Sequence, residues 1–241
     1  MPRRSYWPYK APLAELEAME RGEAPDKDGA RISRFVFAGQ QMQNPIAVGG
    51  NLIRGADFKY YTVLPRIKYR IVTADTAQKT KERNDYSVFA CWGLGEDGWL
   101  YLLDLIRGKW EAPELETKCI GFWAKQKAAD VTKLGQLRKM WVEDKSSGTG
   151  LVQKIKFLNH IPIEGMERDR DKLTRVMDIV GYIPMVAIPI DAEFTNDFVK
   201  ECEAFTADDS HAHDDQVDVL VDAIMKMLST QNKLETWKKI I

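Results

Sequence analysis

Three cysteines in 241 residues, Cys91, Cys119 and Cys202, are too few and too scattered for a disulfide framework, and none stands in a CxxC pair that would mark a zinc site. They read as reduced packing residues. Histidine is equally scarce, and the cluster S-H-A-H-D-D around His211 and His213 does not by itself supply a transition-metal ligand set. No apolar run approaches the ~18 to 20 residues of a membrane span, which removes the membrane as a partner. The N-terminus, MPRRSYWPYK, carries basic residues with no apolar stretch behind them, so the layout of a secretory signal is missing and a cytosolic setting is expected. The pattern G-x-x-x-x-G-K-[ST] is absent, so the chain encodes no P-loop nucleotide motor, and S-S-G-T-G is too short to replace it. An excess of positive charge is missing too. The net charge is -1, so any hold on nucleic acid must rest on local clustering, for which 125–139 and 168–175 are the basic stretches; solvated faces are the plainer reading of each.

What is present is an ordinary globular balance, 44% apolar and 29% charged, on a length that suits one domain with an irregular arm. Residues 1–65 are rich in Gly, Pro, Asn and Gln and hold no sustained period beyond a short helical stretch at 13–21, so they form an arm or connector. From Ile67 the pattern changes. Ile67, Tyr69, Ile71 and Thr73 alternate with Lys68, Arg70, Val72 and Ala74, giving a strand that ends at Asp75 before a polar loop. YSVFACWGLG and WLYLLDLIRG, joined by E-D-G, make an antiparallel hairpin. Helical spacing follows after Pro113, then a strand at 140–142, a helix opening at S-S-G-T-G, a strand at 161–163, a helix at 171–180, a strand at 185–188 and helices at 195–205 and 214–228. Strands in a meander followed by helix and strand in alternation predict an α/β fold, a mixed sheet flanked by helices, over 66–230, with 231–241 as a tail. The same order is that of the ribonuclease H-like fold.

Acidic residues sit where predicted elements end or begin. Asp75 closes a strand of β-formers, where an ionised carboxylate needs a cation or acts as a turn residue. Glu143 and Asp144 end another strand and project to opposite faces, so only one of them enters a given site; periodicity leaves open which. Asp214 and Asp215 open an amphipathic helix, where Asp is also a preferred N-cap. At about 100° per residue, Asp214 and Asp218 fall at the edge of the apolar stripe and Asp215 further round. Converging carboxylates suit a hard divalent cation.

Taken together, I-V-T-A-D-T-A, N-D-Y-S-V-F-A-C-W-G, W-V-E-D-K-S-S-G-T-G-L, D-K-L-T-R and H-D-D-Q-V-D, in that order over 40–227, resemble the nuclease domain of tailed-phage and prophage terminase large subunits. The resemblance implies a metal-dependent endonuclease that cuts concatemeric viral double-stranded DNA during packaging in the host cytoplasm. Carried over by position, Asp75, Glu143, Asp214 and Asp215 are the expected catalytic residues and ligands of two Mg²⁺ or Mn²⁺ ions, with Asp75 bridging; this favours Glu143 over Asp144. Such ions lie about 3.5 to 4 Å apart and activate the attacking water and the departing oxygen. Asp85, Asp218 and His213 are expected in outer positions, and Lys172 and Arg175 on DNA phosphates. A portal, a small terminase subunit and a separate ATPase domain are the implied protein partners. A junction resolvase or transposase of the same fold, and a non-catalytic module docking a portal or capsid, are the competing readings.

Overall fold

The computed structural model describes residues 12–20, 52–77, 86–143, 146–159, 161–206 and 213–229. Asp85, Asp144, His160, His211 and the expected tail lie outside the described residues, as does most of the arm. Helix α1 (Leu13–Glu20) is followed by a 3₁₀ turn (Gly55–Asp57), then β1 (Lys59–Tyr61), β2 (Ile67–Asp75), β3 (Ser87–Gly95) and β4 (Leu100–Gly108). Next come α2 (Ala112–Lys127), α3 (Val131–Leu134), β5 (Gln136–Glu143), α4 (Ser146–Asn159), β6 (Ile163–Met166) and α5 (Lys172–Ile179). A 3₁₀ segment (Val180–Met185) leads to β7 (Val186–Pro189), α6 (Thr195–Ala204) and α7 (Asp215–Ile224), whose last turn opens into a π-helix (Met225–Ser229).

The seven strands form one sheet in the order β1-β7-β4-β3-β2-β5-β6. β2, β3 and β4 pair antiparallel, as the hairpin reading predicts; β5 lies parallel to β2, and β6 parallel to β5. This is the expected mixed sheet flanked by helices. Residues 52–61, part of the compositional arm, are packed into it: β1 pairs with β7, and Leu52, Ile53 and Phe58 are core residues. Every residue of β3 is buried, as expected for a central strand covered on both faces. Its side chains alternate between layers. Val88, Ala90, Trp92 and Leu94 face the core under α5, α6 and α7, while Phe89 and Cys91 face the one under α2 and α4.

Parity then decides where the strand-end acids point. In β2, Val72 and Ala74 belong to the α2/α4 layer, and in β5 Met140 and Val142 do. Asp75 and Glu143, one residue further on, project to the opposite side, toward α7. The register pairs Ala74 with Val142, so the two carboxylates stand side by side at the ends of neighbouring parallel strands.

A buried relay fixes α7 over them. The Trp92 indole N–H donates to Thr73 Oγ1 at 2.8 Å, and the Thr73 hydroxyl donates to the Val219 carbonyl at 2.9 Å. Thr73→Val keeps the shape and strands the indole donor, so it should cost about 1 to 3 kcal/mol in urea unfolding. On the other face Arg70 is fully buried, donating to the Gln126 carbonyl at 2.8 Å and the Gly135 carbonyl at 3.1 Å. Gly135 sits at φ +63°, and a Cβ there would lie 2.6 Å from the Ile67 carbonyl oxygen.

Candidate active site

The sheet ends, α7 and the segment between β6 and α5 bring five carboxylates and three cations together. The centre is Arg168, whose side chain is 5% exposed. Its Nη1 lies 3.2 Å from Asp75 Oδ2, 2.9 Å from Glu143 Oε1 and 3.2 Å from Asp218 Oδ2, and its Nη2 donates to Asp222 Oδ2 at 2.7 Å. Three carboxylates from three elements therefore share one guanidinium nitrogen. Around them, Lys172 bridges Asp214 and Asp218, the latter at 2.7 Å, and Arg175 Nη2 donates to Asp218 Oδ1 at 2.8 Å.

Local sequence explains each placement. Asp171 caps α5, its side chain accepting from the Thr174 N–H at 2.9 Å, which sets Lys172 at the first helical position and Arg175 one turn on. Asp214, Asp218 and Asp222 recur every four residues, so they line one face of α7. Asp214 occupies the N-cap position, yet its side chain makes no capping bond. Glu201 of α6 supplies it: its Oε1 accepts from the Gln216 N–H at 2.7 Å and its Oε2 from the Gln216 side chain at 2.8 Å. The Asp214 carboxylate is turned to Lys172 instead of the helix end.

Asp215 goes elsewhere. It pairs at 3.7 Å with Arg107, which also pairs with Glu201 at 2.9 Å and stacks 4.0 Å over the Tyr86 ring. His213 packs edge-on against the same ring at 5.2 Å, and it lines a cleft with Arg107, Lys200 and Glu201. Of the expected ligands, Asp75 and Glu143 thus meet on the Arg168 Nη1, Asp214 joins them through Lys172 and Asp218, and Asp215 faces the Arg107 side. Of the two expected phosphate contacts, Lys172 is partly exposed at the rim, whereas Arg175 is buried against Asp218. Two participants escape the sequence reading. Asp222 was legible as the third member of the four-residue repeat, while Arg168 was marked only as the start of the basic stretch 168–175, in the run E-R-D-R-D that carries no periodic mark.

The charges respond to this crowding. Burial drives the Asp75 carboxyl well above its ordinary value; Arg168 opposes that, and Asp218 and Glu143 reinforce it. Burial acts on Asp218 in the same sense but is outweighed by Arg168, Lys172 and Arg175, which bring it down to about 2. Burial raises Asp222 to about 6 against the pull of Arg168. Burial, Glu201 and Asp214 raise Asp215 to about 7, with Arg107 and Lys172 opposing. A carboxyl raised in the fold favours stability below its unfolded value, near 3.8, and loses that contribution as pH rises through 7. Asp215→Asn should therefore match the wild type at pH 4 and exceed it at pH 8 by about 1 to 2 kcal/mol, partial exposure screening the rest, in denaturant unfolding with EDTA.

The donor set fits a hard divalent cation. All converging atoms are carboxylate oxygens, and five carboxylates against three cations leave a formal negative excess. Among the described residues, no group of three or more His, Cys, Asp or Glu side chains stands ready as a metal cage. The central position is filled by the Arg168 guanidinium.

Comparison with known proteins agrees with this architecture. Curated proteins give no match. Among solved structures, the large terminase of a thermophilic bacteriophage superposes with a TM-score of 0.60 at 13% identity, over 92% of this chain and 54% of that one. The same terminase in complex with ADP gives 0.53 at 13% identity, over 72% and 43%. The human cytomegalovirus terminase nuclease domain gives 0.52 at 12% identity, over 72% and 88%. At such identities the likeness establishes the fold, and this chain spans about half the length of the thermophilic phage protein. The sequence model of the terminase RNaseH-like domain matches residues 72–227. That stretch holds Glu143, Arg168, Lys172 and the acidic face of α7, together with Asp75 three residues past its start, and the chain belongs to the terminase RNaseH-like domain family.

Proposed function

We propose that this chain is a divalent-metal-dependent endonuclease that cuts double-stranded viral DNA during genome packaging. The observation that carries the reading is the convergence of Asp75, Glu143 and Asp218 on one point at the ends of β2 and β5, within a terminase RNaseH-like domain. Asp75, Glu143 and Asp218 would hold Mg²⁺ or Mn²⁺ there, with Asp214 at the rim and Asp215 further out. Two ions so held would supply water activation and charge neutralisation at the scissile phosphodiester. The chain's own residues prepare the site. The Trp92–Thr73–Val219 relay fixes the height of α7 over β2, Arg175 orients Asp218, and Glu201 keeps the α7 terminus satisfied so that Asp214 can face the cluster.

Lys172, at the mouth, is placed to meet a backbone phosphate. Such contacts position DNA without reading its sequence, so cleavage is expected to be sequence-tolerant. The thermophilic phage terminase was captured with ADP; an ATPase domain, a portal and a small terminase subunit are the partners this reading implies, in the host cytoplasm. No helix among the described residues is long and apolar enough to cross a membrane.

Plasmid cleavage tests the reading. The chain should nick and linearise supercoiled DNA in Mg²⁺ or Mn²⁺ and leave it intact in EDTA, with no preference for a four-way junction over a linear duplex. Cutting that persists in EDTA would overturn the metal assignment. Strong junction preference would transfer the chain to a resolvase role, and inert protein in every metal would favour a docking module.

A further inference from the structure

A cation buried among four carboxylates has two possible relations to an incoming metal ion: neighbour or occupant. Arg168 is the occupant. Its Nη1 is the shared partner of Asp75, Glu143 and Asp218, the oxygens that would ligate an ion, so the ion and this nitrogen compete for one position. Four carboxylates this close repel one another, and the buried guanidinium offsets that repulsion where water cannot. The side chain also has somewhere to go. Its second nitrogen is anchored on Asp222, which lines an open groove of about 320 Å³ together with Arg168, Asp178 and Met225. The π-turn Met225–Ser229 forms one wall of that groove, a backbone departure of the kind common beside functional sites.

We propose that Arg168 is a positioning residue that holds Asp75, Glu143 and Asp218 converged in the metal-free protein and yields its place to the divalent ion, swinging about Asp222 into the adjacent groove. The inference rests on the metal-nuclease reading. It makes metal uptake an exchange of one cation for another, so that the carboxylates never face each other uncompensated.

The test uses the full chain with Mn²⁺ as the probe. Phenylglyoxal modification of arginines, mapped by peptide mass spectrometry, should find Arg168 protected in EDTA and modified about tenfold faster or more in saturating Mn²⁺, while Arg175 stays protected in both. In calorimetry, Arg168→Gln should bind Mn²⁺ about tenfold tighter than the wild type, because no internal cation has to leave, and Arg168→Lys should fall between them. In EDTA, Arg168→Gln should melt lower than the wild type and recover more on adding Mn²⁺. Mn²⁺ binding by the wild type with Arg168 still protected, or weaker binding by Arg168→Gln, would overturn the exchange and leave the nuclease reading intact. Absence of Mn²⁺ binding in wild type and variants alike would remove both.

Discussion

Asp75→Asn is expected to lower metal-dependent plasmid cleavage by about 10³-fold or more, equivalent to roughly 4 kcal/mol of lost transition-state stabilisation. It should do so without weakening the metal-free fold. Burial raises the Asp75 carboxyl, so its ionised form is disfavoured in the folded protein, with Asp218 and Glu143 adding to the strain. A neutral amide of the same shape removes that burden. In EDTA near neutral pH the variant should melt at the wild-type temperature or above it. Loss of activity together with a stable fold separates a ligand from a structural residue, and a variant that cuts normally would take Asp75 out of the site.

Asp218→Asn should behave in the opposite way. Asp218 pairs with Arg168 at 3.2 Å, Lys172 at 2.7 Å and Arg175 at 2.8 Å, and its side chain is 3% exposed. Removing its charge leaves three cations short of a buried partner, a loss of about 2 to 5 kcal/mol in denaturant unfolding with EDTA. The sign can be checked against pH. A carboxyl lowered from 3.8 to about 2 contributes stability above its unfolded value and loses it as pH falls through 2. The gap between wild type and variant should therefore be full above pH 4 and close toward pH 2. Cleavage should also fall, because Asp218 shares the central position with Asp75 and Glu143. A variant as stable as wild type at pH 7 would contradict the charge network described here.

Which of these features were legible in the chain follows from their physics. The strands β2 and β3 and the helix α7 are local patterns and each appeared where expected, but their exposed faces did not: β2 is buried throughout from Arg70 to Asp75, and α7 from Gln216 to Ile224. β1 was not legible. Its three residues, Lys59, Tyr60 and Tyr61, are mostly exposed and become a strand only because β7 offers an edge. Arg70 stands mid-strand at a position parity assigns to a packed layer, and it is tolerated there because the Gln126 and Gly135 carbonyls receive its guanidinium. Periodicity left Glu143 and Asp144 open and the family resemblance chose Glu143, whose side chain the parity of β5 turns toward α7 and Arg168. Helix spacing had already placed Asp214 and Asp218 at the edge of the stripe, and both face the cluster, while Asp215 does not. Arg168 could be read only as part of a basic stretch, not as the centre of the site, since that place depends on four partners drawn from three distant elements.

A crystal structure of the chain soaked in Mn²⁺, with anomalous scattering to locate the ions, decides whether these carboxylates are a metal site held by Arg168. An anomalous peak ligated by Asp75, Glu143 and Asp218 is expected, with the Arg168 guanidinium displaced toward the groove beside Asp222. No peak among these carboxylates at saturating Mn²⁺, or one confined to Asp215 and Glu201, would rule out a metal site centred on Asp75, Glu143 and Asp218.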